Sequence, residues 1–229
     1  MTIFSEGLMM LMVCWSLKGG MGTTVVAAGL ALSSARAGKR PWLLDLDGDL
    51  PSVLGVDGAG PGMTDWCSAL DGPECEAIEQ LATEVSEIRL VGRGMSSWDD
   101  VISERMKEMA EYLVGLDQTV VVDAGNLFRS GPPQVLIDPL LAAADRSILV
   151  TRACYLALRR VPIQTHRPTE VALTVEPGRA LGRADVEQVV GAPVTMRVLT
   201  DPAIARAVDS GLLARRTPRV LLRGVGAAS

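Results

Sequence analysis

The run LMMLMVCWSLKGGMGTTVVAAG, Leu8 to Gly29, decides how this chain is read. Its opening, Leu8–Trp15, is eight nearly continuous apolar residues. A central parallel strand covered on both faces requires such a run. A glycine-rich turn follows, Lys18-Gly19-Gly20-Met21-Gly22-Thr23-Thr24, and a helix opens at Thr23 or Thr24. Backbone N–H groups in a turn of this kind converge on one point. With the positive end of the following helix they make an anion site that suits phosphate. Ala27, Ala28, Gly29 and Ala31 are small enough to let that helix lie close on a sheet.

The whole chain sets the bounds. At 229 residues, 48% of them hydrophobic, it can bury a large core as one α/β domain. Residues 1–7 read as a tail, and 215–229 as a second tail or a docking helix. A net charge of −5 argues against a surface that coats nucleic acid. Aromatics at 3% argue against stacking on single-stranded bases. Lysine occurs only at 18, 39 and 107, so Lys18 stands apart from a general solubilising role. The four cysteines form no CxxC pair, and the lone His166 has no usual zinc spacing to them. Leu8–Trp15 lacks a basic flank and is too short for a bilayer span. It is expected to be a core strand of a cytoplasmic protein.

Along the chain, apolar periodicity predicts strands at Trp42–Leu46, Ile88–Val91, Thr119–Asp123, Ser147–Thr151, Val171–Val175 and Val194–Leu199. Helices are predicted at Asp65–Leu70, Cys75–Val85, Asp100–Leu116, Tyr155–Val161 and Asp185–Val190. Two Asp-Pro pairs, Asp138-Pro139 and Asp201-Pro202, each read as an N-cap followed by proline at the first helical position. Gly55–Met63 reads as a loop. Strands alternating with helices predict a doubly wound, mostly parallel sheet.

Lys18-Gly19-Gly20-x-Gly22-x-Thr24 resembles the deviant Walker A motif of the MinD/ParA family of P-loop ATPases. The Gly-Thr-Thr ending is similar to its CpaE/TadZ pilus-localisation branch. The resemblance implies ATP and Mg²⁺ as cofactors, with residues 18–24 around the phosphates. It also implies a homodimer in which Lys18 reaches nucleotide across the interface. Two positions depart from the pattern: Thr23 stands where P-loops carry lysine, and Leu17 stands where they carry the first glycine.

The same resemblance assigns further roles. Thr24 is the Mg²⁺-ligating hydroxyl. Asp45-Leu46-Asp47 is similar to switch I, with Asp47 positioning the attacking water and Asp45 nearer the metal. Val120–Asp123 is similar to a Walker B strand, whose Asp123 reaches Mg²⁺, and residues 126–133 to switch II. Asp201 and Pro202 are the best-placed residues for a base pocket. Each carboxylate has a plainer reading as a cap or turn contact at a strand end.

The missing lysine limits the enzyme claim. One charge-assisted hydrogen bond contributes about 1.5–3 kcal/mol, so its loss weakens phosphate support roughly 10- to 150-fold. A cation supplied in trans is worth on the order of 10³–10⁵ in rate, and Lys18 supplies it only in a dimer. The expected function is therefore an ATP-binding, dimerising switch that positions a partner complex, such as pilus or secretion machinery, with slow or no hydrolysis. The rivals are a nucleotide-independent pseudo-ATPase scaffold and, less favoured, a P-loop ligase. The arginines at 215, 216, 219 and 223 make nucleic acid a weaker reading, and membrane contact is expected only through partners.

Overall fold

The computed structural model describes residues 10–69, 74–128 and 132–226. Its centre is a sheet of eight strands in the order β3-β4-β2-β5-β1-β6-β7-β8. The strands are β1 (Met10–Ser16), β2 (Trp42–Asp45), β3 (Thr83–Val85), β4 (Ile88–Val91), β5 (Thr119–Asn126), β6 (Arg146–Arg152), β7 (Glu170–Val175) and β8 (Val194–Leu199). Every pairing is parallel except β3 with β4. The doubly wound sheet expected from the alternation is therefore present. Leu8 and Met9, which open the expected first strand, lie outside the described residues.

β1 shows why the sheet is buried on both sides. Leu11, Val13 and Trp15 join one apolar cluster, while Met12 and Cys14 join the other. The first cluster is closed by α3 (Met63–Ser68), α4 (Ser103–Gly115), α5 (Gln134–Ala143) and α7 (Arg183–Val190). The second is closed by α1 (Thr23–Arg36), α2 (Leu50–Leu54), α8 (Pro202–Asp209) and α9 (Arg219–Val225). A short α6 (Tyr155–Leu158) follows β6. On α1, Ala27, Ala28 and Ala31 are wholly buried. Gly29 instead admits α9: a Cβ there would come within 3.1 Å of Leu221. Within the C-terminal stretch, Arg219–Val225 form α9, which packs on α1. Among the described residues no helix is long and apolar enough to cross a membrane.

Four expectations are corrected. The helix expected over Cys75–Val85 is a 3-10 helix, Cys75–Leu81, followed by strand β3. β3 turns into β4 through Ser86 and Glu87, at φ 48° and 63°. That left-handed pair makes the hairpin, but its residues are not the Asn-Gly type that would announce it. The helix expected to open at Asp138-Pro139 begins at Gln134 and carries Pro139 inside it. Its buried stripe, Leu136, Ile137, Leu140 and Leu141, outweighs the one backbone hydrogen bond that Pro139 cannot donate. Asp201, by contrast, is the N-cap expected of it and accepts from the Ala203 N–H at 2.7 Å. α2 was not foreseen, although Pro51 in its first turn and Gly55 at its left-handed end are ordinary helix signals. Finally, β5 does not stop at Asp123 but continues to Asn126.

Candidate nucleotide site

The C-terminal ends of β1, β2 and β5 converge on the turn between β1 and α1, the place where open α/β sheets bind ligands. Gly20 and Gly22 take φ of 73° and 92°, which only glycine adopts without strain. A Cβ added at Gly19 or Gly20 would meet nothing within 4 Å. The turn is therefore uncrowded at these two glycines, and Gly20 and Gly22 are required by their backbone angles rather than by lack of space.

The turn is held from behind by residues far away in sequence. Thr174 on β7 donates its hydroxyl to the Met21 carbonyl at 2.8 Å, a buried bond. Ser16 Oγ sits 3.1 Å from the Gly125 carbonyl and 3.2 Å from that of Lys18. Neither Thr174 nor Ser16 was singled out in the sequence. A threonine in the middle of a β-branched strand carries no signal of its target 153 positions away.

A cavity of about 230 Å³ fills the convergence point, lined by Gly19 to Thr24, Asp47, Asp49, Gly125 and Asn126. Beside it lies an apolar cavity of about 490 Å³ between β8, α8 and the start of α1. Gly22, Val25 and Val208 line both. Asp201 and Pro202, the residues expected at a base pocket, line the second. A polar cradle opening onto an apolar slot of this size matches the two halves of a nucleotide.

Three carboxylates sit at the strand ends, with different fates. Asp45 and Asp123 are paired in register on adjacent strands and both are fully buried. Asp45 accepts on Oδ1 from the N–H groups of Asp47 and Gly48, at 3.0 and 2.7 Å, and on Oδ2 from that of Leu50 at 3.0 Å. It thereby holds the loop into α2, next to the metal position expected for it. Burial nonetheless pushes its pKa up to about 6. Asp123 accepts the Gly125 N–H on Oδ1 at 3.1 Å, while Oδ2 is buried with no partner. Burial, then the charge of Asp45, push its pKa up to about 8, and the Thr24 hydroxyl pulls it back in part. A buried carboxyl oxygen without a partner, beside a hydroxyl, is a hard-oxygen pair of the kind Mg²⁺ uses, and a bound cation would favour the ionised form.

Asp47 is half-buried and lies on Gly125. A Cβ at Gly125 would come 2.4 Å from its carboxyl carbon, and Gly125 has φ 62°. Burial, and then Asp49, raise the Asp47 pKa, against Arg93. Lys18 is half-buried at the rim and does not line the cavity. Its charge bears on Cys154 and Glu176, though the Ala157 N–H is the main cause of the lowered Cys154 pKa and Arg179 of the lowered Glu176 pKa. Thr23 is buried and lines the cavity at the start of α1.

No family model and no curated protein sequence matches the chain. Solved structures do. A ParA family ATPase from Chlorobium tepidum superposes with a TM-score of 0.77 at 19% identity, over 96% of this chain and 97% of that one. The chain has the ParA/MinD fold. The septum site-determining protein MinD of Pyrococcus horikoshii, complexed with Mg-ADP, gives 0.73 at 17% identity over 96% and 95% of the two chains. MinD in the MinC:MinD complex of Aquifex aeolicus gives 0.74 at 16% over 95% and 93%.

Proposed function

We propose that the chain is an ATP- and Mg²⁺-binding switch of the MinD/ParA family, nearest its CpaE/TadZ branch. In this reading it closes into a homodimer on nucleotide and positions a cytoplasmic partner complex, such as pilus or secretion machinery. One observation carries the reading: the open cradle at Gly19 and Gly20 lies beside a fully buried Asp123 with an unpartnered oxygen. A buried carboxylate oxygen without a partner costs stability unless a ligand uses it.

In this reading the N–H groups of residues 19–24 take the phosphates, and the 490 Å³ apolar slot takes the base. Thr24 and Asp123 hold the metal, and Asp45 acts on it through charge alone. Bound Mg²⁺ supplies neutralisation of the charge that develops on the phosphate oxygens. Asp47, seated on Gly125, orients the attacking water. A second copy of the chain brings its own Lys18 to the site, offsetting the lysine absent at Thr23. The Mg-ADP in the P. horikoshii neighbour and the MinC complex of the A. aeolicus neighbour lend support to the nucleotide and partner parts.

Light scattering after size exclusion tests the dimer. With Mg²⁺ and a slowly hydrolysed ATP analogue the wild type should run as a dimer, and Lys18→Ala as a monomer. A wild type that stays monomeric in saturating analogue would sink the switch. Thr23 and Leu17 favour a second reading, a scaffold that keeps the fold without using nucleotide. ATP turnover that rises on dimerisation and is lost in Lys18→Ala excludes it.

A further inference from the structure

Arg160 lies outside the cradle, in the turn after α6, yet it joins two pieces on which the cradle depends. Its Nη1 donates to the Leu17 carbonyl at 2.5 Å. Its guanidinium carbon stands 4.1 Å from the ring centre of Phe128. Leu17 is the residue at which β1 passes into the phosphate turn, and it is buried. Phe128 lies three residues beyond Gly125, the glycine that carries Asp47.

The two strand ends are already stitched together there. The Leu127 N–H donates to the Ser16 carbonyl at 3.0 Å, and the Phe128 N–H to Asn126 Oδ1 at 3.1 Å. Arg160 reaches this seam from the opposite half of the sheet. A guanidinium suits the task, because its fork donates in the plane while its face stacks on a ring. A lysine supplies the charge without the stacking plane.

We propose that Arg160 is a positioning residue that couples the phosphate turn to residues 125–128, so that the site tells a triphosphate from a diphosphate. The inference rests on the nucleotide reading above. Gly125 and Asn126 line the same cavity as Gly19 and Gly20. In this proposal a terminal phosphate meets the wall made by Gly125 and Asn126, whereas a diphosphate is held by the turn. With Arg160 bridging Leu17 and Phe128, the wall is already ordered against the turn when the third phosphate arrives. Without it, that phosphate must order residues 125–128 at its own expense.

Calorimetric titration of MgADP and of a slowly hydrolysed MgATP analogue tests this in the wild type, Arg160→Ala, Arg160→Lys and Phe128→Leu, with a melting curve for each. Arg160→Ala should lose about tenfold in affinity for the triphosphate, the size of one charge-assisted hydrogen bond, and little for MgADP. Arg160→Lys should recover only part of the ratio. Phe128→Leu, which keeps an apolar side chain, should shift it in the same direction by less. Equal weakening of both nucleotides, or an unchanged ratio in the folded variants, would overturn the proposal. A wild type that binds neither nucleotide overturns the nucleotide reading itself, which is a separate outcome.

Discussion

Asp45 and Asp123 end up side by side on β2 and β5, equally buried and at the same register, yet their oxygens are satisfied differently. Asp45 has three backbone N–H groups on its two oxygens. Asp123 has one such group and an oxygen left bare. A satisfied buried carboxylate organises the chain around it. An unsatisfied one is a standing cost, offset when a cation arrives. The difference teaches that equal burial does not mean equal satisfaction of a carboxylate.

Substitution should separate the two most strongly. Asp123→Asn should remove the Mg²⁺-dependent part of nucleotide affinity, on the order of 100-fold, while raising the melting point of the nucleotide-free protein at pH 8. Asp45→Asn should do the reverse. Its amide nitrogen would face an N–H of the loop, costing about 1–3 kcal/mol, or roughly 3–10 °C, with Mg²⁺ dependence retained. Paired titrations and melts of the two variants would collapse the contrast if both lost Mg²⁺ dependence alike.

Gly125 sharpens the contrast from the β5 side. Gly125→Ala places a methyl 2.4 Å from the Asp47 carboxyl and forces φ 62° on a residue with a Cβ. The expected cost is about 1–3 kcal/mol, read as a lower melting point, with hydrolysis falling further than nucleotide affinity. An Ala variant with unchanged melting and turnover would mean that Asp47 does not rest there.

The pH dependence tests both acids at once. Both acids have folded pKa values raised above their ordinary range, to about 8 for Asp123 and about 6 for Asp45. Over the window between the ordinary and the raised value the folded state binds more protons than the unfolded state, so stability falls as pH rises. The melting point of the nucleotide-free protein should therefore climb as pH is lowered from above 8 to below 6. Asp123→Asn should flatten the upper part of that climb and leave the part due to Asp45. A wild-type profile flat across the window would contradict the burial of both charges.

Much of this was legible in the chain. Leu8–Trp15 followed by Lys18 to Thr24 announces a buried strand and an open turn because periodicity and glycine are local signals. The same holds for Asp201-Pro202 as a helix start. Asp138-Pro139, the same dipeptide, misled because a helix beginning four residues earlier, with its buried stripe from Leu136, had already committed the segment. β3 was hidden by its turn, since Ser86 and Glu87 hold left-handed conformations without the usual residues. The division of labour between Asp45 and Asp123 was out of reach altogether. It depends on where the N–H groups of residues 47, 48 and 50 finish, which only the folded loop decides. Thr174 and Arg160 were hidden for a related reason: each meets the turn across more than a hundred residues of chain.

The most direct test is a calorimetric titration of ATP into the wild-type protein with Mg²⁺ and again with Mg²⁺ chelated. Saturable binding that weakens sharply without Mg²⁺ is the predicted result, with the metal seated by Thr24 and Asp123. No heat of binding at millimolar ATP in the presence of Mg²⁺ would contradict it, leaving the ParA/MinD fold without the nucleotide.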